Sequence, residues 1–183
     1  FVAMALAAPA AAQRVSDVDA FVTAVRDRDG NTAVELIREH GSTVLNGRNY
    51  EGETGLIVAI EERVSWIGYL LQQGANPNLT NHQGKTPLIT AARIGHADAV
   101  EWLLRYGADV NGTNRMGETA LIVAVQQRQI PVIKLLLDKG ADPDQTDNAA
   151  GYSARDYAKG DTRSRRMIGL IEDAAKKPAG TAN

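Results

Sequence analysis

Cysteine is absent from all 183 residues, which excludes disulfides, thiolate-bound metals and a cysteine nucleophile. That absence fits any redox compartment. An excess of one charge is also missing: 20 Lys and Arg stand against 22 Asp and Glu, for a net charge of −2. Such a chain has no general attraction for phosphate backbones or anionic membranes, so nucleic-acid binding would need a local basic patch. The apolar stretch from Phe1 to Ala12 is too short to span a bilayer, which takes about 20 residues. What is present, 44% hydrophobic and 23% charged residues, is the composition of a folded globular protein of single-domain length.

The first thirteen residues read FVAMALAAPAAAQ. An apolar run leads into small residues, with Ala10 and Ala12 framing an A-x-A site before Gln13, as at the end of a secretory signal. The first residue is Phe1 rather than Met, so residues 1–12 are read as the remnant of a longer leader. With no Cys after the site, a lipid-anchored mature end is not expected. Export as a soluble protein is the expectation, to the bacterial periplasm or beyond, with the cytoplasm as the alternative.

The rest of the chain repeats itself. Gly74, Gly107 and Gly140 recur every 33 residues, followed by Ala75-Asn76, Ala108-Asp109 and Ala141-Asp142. Asn78, Asn111 and Asp144 keep the same spacing, as do Gly84-Lys85-Thr86 and Gly117-Glu118-Thr119. Gly52-Glu53-Thr54 precedes its counterpart by 32, which removes one residue near Glu62–Ser65; Gly151-Tyr152-Ser153 follows by 34, which adds one around Ala149-Ala150. The expected domain is 16–175, in units 16–48, 49–80, 81–113, 114–146 and 147–175, with a flexible tail at 176–183.

Each unit predicts two helices. Thr54, Thr86, Thr119 and Ser153 can cap a helix N-terminus through their side-chain oxygens, and Pro87 suits the first helical position. Apolar residues follow at helical spacing: Leu56, Ala59 and Ile60; Leu88, Ala91 and Ala92; Leu121, Ala124 and Val125. A break at Gly95-His96 or Arg128-Gln129 precedes a second helix richer in large residues, such as Val100, Leu103 and Leu104, or Ile133, Leu136 and Leu137. That helix ends at Gly107 or Gly140, where glycine tolerates the left-handed conformation. One such pair cannot bury its own apolar face, but a stack of pairs can. Leu104→Ala and Leu137→Ala are therefore expected to destabilise strongly.

These residues resemble the ankyrin repeat. Its T-P-L-H-x-A core reads Thr86-Pro87-Leu88-Ile89-Thr90-Ala91, followed by Gly95-His96, Leu103-Leu104 and Gly107-Ala108-Asp109-Val110-Asn111. The resemblance covers about 160 of the 183 residues. It implies an all-α repeat solenoid of helix-turn-helix units joined by β-turn or hairpin fingers. Ile57, Ile89 and Ile122 stand where the family usually has His, so the hydrogen bonds of that His to neighbouring turns are expected to be missing. Gly55 and Ala120 replace the proline. The first and last units depart most from the pattern and read as caps.

Chemistry is hard to assemble. Gly84-Lys85-Thr86 has the tail of a phosphate-binding loop, but the earlier glycine would fall at Leu79, so a turn before a capped helix is the reading. His40, His82 and His96 lack metal-ligand spacing. Glu61-Glu62 and Glu51/Glu53 read as a solvated acidic face, and Arg163, Arg165 and Arg166 as the polar side of a cap. Asn78-Leu79-Thr80 and Asn111-Gly112-Thr113 match the glycosylation pattern at repeat joints, where Asn is expected anyway. No catalytic residue, cofactor or metal is assigned, and the chain is not read as an enzyme.

Function is therefore expected on the surface. The resemblance implies a concave groove lined by finger tips and first helices. Its candidates are Tyr50, Glu51, Glu53, His82, Gln83, Lys85, Arg93, Ile94, Arg115, Met116, Glu118, Gln126 and Gln127, with Tyr106 and Lys139 extending it. Tyr50, Arg93, Tyr106, Arg115 and Met116 are the expected hot spots, since Tyr, Arg and Met are enriched at interface cores. The groove is expected to run from acidic to mildly basic. A monomer binding an unidentified protein is the reading, without nucleic acid or membrane insertion. The alternatives are a secreted host-interacting effector and an accessory factor for a periplasmic stress-defence enzyme.

Overall fold

The computed structural model describes residues 10–161 and 165–176, with side chains at 17–161 and 165–174. Residues 1–9 of the expected leader remnant, and the expected tail from 177 onward, lie outside the described residues.

Helices come in pairs along the chain. α1 (Ala10–Arg26) pairs with α2 (Gly30–His40), followed by the single turn α3 (Ser42–Leu45). Then come α4 (Gly55–Glu61) with α5 (Ile67–Gln72), α6 (Pro87–Ile94) with α7 (Ala97–Arg105), and α8 (Ala120–Gln126) with α9 (Ile130–Asp138). The last pair is α10 (Ala154–Gly160) with α11 (Arg165–Lys176). α1, α4, α6, α8 and α10 pack side by side as an inner row, and α5, α7, α9 and α11 form an outer row against it. Among the described residues, extended pairing is limited to isolated bridges, Thr113 with Thr119 and Thr146 with Ser153.

Local chemistry sets the helix ends. The hydroxyls of Thr54, Thr86, Thr119 and Ser153 accept the N–H of Ile57, Ile89, Ile122 and Asp156. Pro87 opens α6. At the outer helix ends Gly74, Gly107 and Gly140 take positive φ. The following alanine N–H then reaches back to Leu70, Leu103 or Leu136, closing carbonyls that the helix leaves open. The shortened unit loses its residue at the start of α5, which begins only at Ile67.

The core lies between the rows. The inner helices α4 and α8 are buried along almost their whole length, from Gly55 to Ile60 and from Ala120 to Val125. A one-sided apolar stripe would not require this. Neighbours on both sides and the outer row behind leave the inner helices little contact with water. Ile57, Ile89 and Ile122, in the place of the family's usual His, are fully buried. In the outer row Leu103 and Leu136 are fully buried, whereas Leu104 and Leu137 are half-buried and pack on the core from outside. The strong destabilisation expected for Leu104→Ala and Leu137→Ala therefore belongs to Leu103 and Leu136, one position earlier on the helix face.

Neighbouring pairs are joined by side chains reaching across the joints. The Asn46 carboxamide donates to the Gly74 carbonyl at 3.1 Å and accepts the Asn76 N–H at 2.8 Å. Asn78 repeats this on Gly107 and Asp109 at 2.9 and 2.8 Å, and Asn111 accepts from Asp142 at 2.8 Å. Both glycosylation-pattern asparagines are thus occupied in the stack. A second series lies at the helix–helix turns. Arg28, Arg63 and Arg128 have φ of 60°, 52° and 56°, a region disfavoured for side-chain-bearing residues. Arg28 donates to the Glu62 carbonyl and Arg63 to the Ile94 carbonyl, at 2.8 and 2.7 Å, and Arg128 pairs with Asp161 at 2.7 Å. Each ties its turn to the next.

Candidate functional site: the fingers and the concave cleft

The segments before the inner helices form the fingers, and one polar side chain organises each. Asn49 Oδ1 accepts the Glu53 N–H; Asn81 Oδ1 accepts from Gln83 and Lys85, and Asn114 Oδ1 from Met116 and Glu118. In the lengthened finger Asp147 does the same work with a carboxylate. Its Oδ1 accepts from Ala149, Ala150 and Gly151, and its Oδ2 takes the Tyr157 hydroxyl at 2.6 Å. That hydroxyl and the backbone amides hold the Asp147 carboxyl below the usual carboxylate range, and the carboxylate pushes the Tyr157 phenol up. Sequence reading missed these four residues as a set, although their spacing follows the repeat.

The fingers also stack. His82 N–H donates to the Gly52 carbonyl at 2.9 Å, and Asn148 N–H to that of Met116 at 2.8 Å. A Cβ at Gly52 would collide with the His82 ring; one at Gly84 would lie 2.6 Å from the Arg115 stem, and one at Gly117 2.7 Å from Asn148. Each glycine, at φ near 75°, thus makes room for a side chain of the next finger. His82 covers its neighbour in this way rather than standing free, and Gly84 is the finger turn expected in place of a phosphate loop.

Eight of the expected groove residues come together. Gln83, Lys85, Arg93, Arg115, Met116, Glu118, Gln126 and Gln127, joined by Asn114 and Val123, line a cleft of about 350 Å³. Met116 is 53% exposed at its rim. Glu118 accepts the Asn114 carboxamide at 2.7 Å. An adjoining cleft of about 630 Å³ shares Gln126 and Gln127 and is walled by Tyr152 and Tyr157. Their rings meet edge to face with centroids 5.6 Å apart. No signal in the repeat pattern had singled out Tyr152.

The remaining candidates sit elsewhere. Tyr50 is 77% exposed at the tip of the first finger, and its N–H donates to Asp19. Glu51 and Glu53 both pair with Arg26 of α1, at 3.4 and 2.5 Å, so one cation partly offsets the expected acidic end of the groove. Ile94 is half-buried against the core, and its carbonyl accepts from Arg63. Tyr106 lies on the outer row, its ring 6.0 Å from that of Trp102, where Arg105 also covers the indole. Ile94 and Tyr106 therefore support the stack and do not line the cleft. Lys139 caps the end of α9, also in the outer row.

Glu61 departs from the solvated acidic face expected for it. Its side chain stays exposed, yet partial burial raises its pKa above the ordinary value, with Glu53 adding repulsion and Lys85 and Arg93 opposing the rise. Glu61 thus joins Lys85 and Arg93 in the electrostatics of the cleft.

The helix pairs, the capped inner helices, the glycine-closed outer helices and the stacked fingers together specify one repeat architecture. A family model described as ankyrin repeats in three copies matches residues 24–147, about two thirds of the chain. With that match and this geometry, the chain belongs to the ankyrin repeat family.

Proposed function

We propose that this protein binds a partner protein across its concave face, through the finger tips and the exposed ends of the inner helices. Ankyrin repeats are generally protein–protein interaction modules, and the family is typically non-catalytic. One observation carries the assignment to this face. The scaffold's recurring Asn and Arg side chains are engaged in its own joints, while Lys85, Arg93, Arg115 and Met116 line an open cleft. The stacked fingers hold that cleft in shape before a partner arrives, which limits the entropy lost on association.

The proposed setting is the bacterial periplasm. The reading is supported by the apolar and small-residue composition of residues 1–12. N-terminal sequencing of the protein recovered from cells checks this: a start at Gln13 is expected, and a start well before it would contradict export. The binding face is tested by affinity capture from the native envelope fraction with wild type and with a Tyr50→Ala/Arg93→Ala/Met116→Ala variant. The variant is expected to lose the partner at an unchanged melting temperature. Equal capture by both would contradict the assignment.

A further inference from the structure

We infer that the cleft between the fingers at 81–85 and 114–118 receives an extended acidic segment of the partner, with an apolar side chain of that segment lying against Tyr152. This deepens the protein-binding reading and rests on it. Most arginines of the stack are engaged: Arg26 by Glu51 and Glu53, Arg63 by the Ile94 carbonyl, Arg128 by Asp161 and Arg155 by Asp144, while Arg165 and Arg166 stand exposed on α11 at the end of the chain's last pair. Lys85, Arg93 and Arg115 make no salt bridge or side-chain hydrogen bond among the described residues.

Two carboxylates accompany these three cations. Glu118 is held by Asn114, and Glu61, outside the lining, is near enough to interact with the charges of Lys85 and Arg93 without a salt bridge to either. The cleft therefore carries net positive charge on a chain whose total is −2. A ligand with separated carboxylates can meet the cations and avoid the two acids. A uniformly charged nucleic-acid backbone cannot do so as readily.

The adjoining cleft differs in kind. Its charged residues are already occupied, Arg128 with Asp161 and Asp156 with Ser153. It offers a ligand chiefly the ring of Tyr152, 54% exposed. Gln126 and Gln127 line both clefts, so one extended chain can cross from the cations to the aromatic wall, with amides available to its backbone.

The probe is a short synthetic peptide with a block of Glu followed by a Leu, added to isotope-labelled full chain and followed by amide NMR shifts. Shifts are expected at Lys85, Arg115, Gln126, Gln127 and Tyr152. Replacing the Glu block by Gln should weaken binding about tenfold, as should the Lys85→Gln/Arg93→Gln/Arg115→Gln variant, since three exposed ion pairs together amount to that factor. Replacing the Leu by Ser should weaken it about fivefold in wild type and not in Tyr152→Ser, which isolates that contact. Equal binding of the Gln peptide would overturn the inference, and so would equally strong displacement by a single-stranded oligonucleotide. If the Tyr50→Ala/Arg93→Ala/Met116→Ala variant loses the native partner while the peptide fails to bind, the protein-binding reading stands and this inference alone falls.

Discussion

Asp147 and Glu61 stand in two regions that treat charge in opposite ways. In the finger scaffold, Asp147 is enclosed by three backbone amides and a tyrosine hydroxyl, and its pKa is depressed. At the end of α4, Glu61 is partly stripped of water, lacks a hydrogen-bond donor among the described residues, and its pKa is raised. One carboxylate stabilises the fold by being ionised and the other by being protonated. The difference separates polar groups that build the stack from polar groups left for something else.

The largest expected effect lies in the apolar interior on which both regions rest. Leu103→Ala or Leu136→Ala should cost about 2–5 kcal/mol, read by chemical denaturation. Leu104→Ala or Leu137→Ala should cost roughly half as much, because those side chains are already half exposed. Equal losses at neighbouring positions would break the assignment of the buried face. Next comes Asp147→Ala, which strands three amides and a hydroxyl and should cost about 2–4 kcal/mol. Its stabilising contribution is fully present above the ordinary carboxylate range and is lost as pH falls through the depressed folded pKa. A loss that stays unchanged as pH falls through and below the depressed folded pKa would contradict the account of Asp147.

Asn78→Ala removes one joint between repeats and should cost about 1 kcal/mol, leaving partner binding intact. The smallest effect is at Glu61. Because its folded pKa is raised, its ionisation opposes folding. Glu61→Gln should therefore raise the melting temperature slightly at neutral pH, with the gain vanishing as pH falls below the carboxylate range. A loss of stability at neutral pH would place Glu61 with the scaffold.

Much of the scaffold was legible because it recurs. The spacing of Thr54, Thr86 and Thr119 gave the caps, and that of Gly74, Gly107 and Gly140 gave the helix ends, since the same local geometry needs the same residue type. Other parts were hidden for physical reasons. Arg28, Arg63 and Arg128 adopt a backbone conformation in which Gly95 is the ordinary choice, so their side-chain bonds, and not their propensity, explain them. Leu103 and Leu104 are identical in composition, and only the helix phase against the inner row decides which is enclosed. Arg26, far from the first finger in sequence, pairs with both Glu51 and Glu53. In the cleft, eight expected residues met because fingers and inner helices share one side of every unit. Ile94 and Tyr106 lie away from the cleft because exposure cannot be read from residue type, and Tyr152 was missed because it lies in the lengthened, least regular finger.

The most direct test compares the Lys85→Gln/Arg93→Gln/Arg115→Gln variant with wild type in binding to the captured native partner, alongside thermal melting of both. The side-chain stems remain, including the one over Gly84, so the melting temperature should be unchanged while partner binding falls about tenfold. Unchanged binding with the fold intact would contradict the claim that the three unpaired cations belong to the interface.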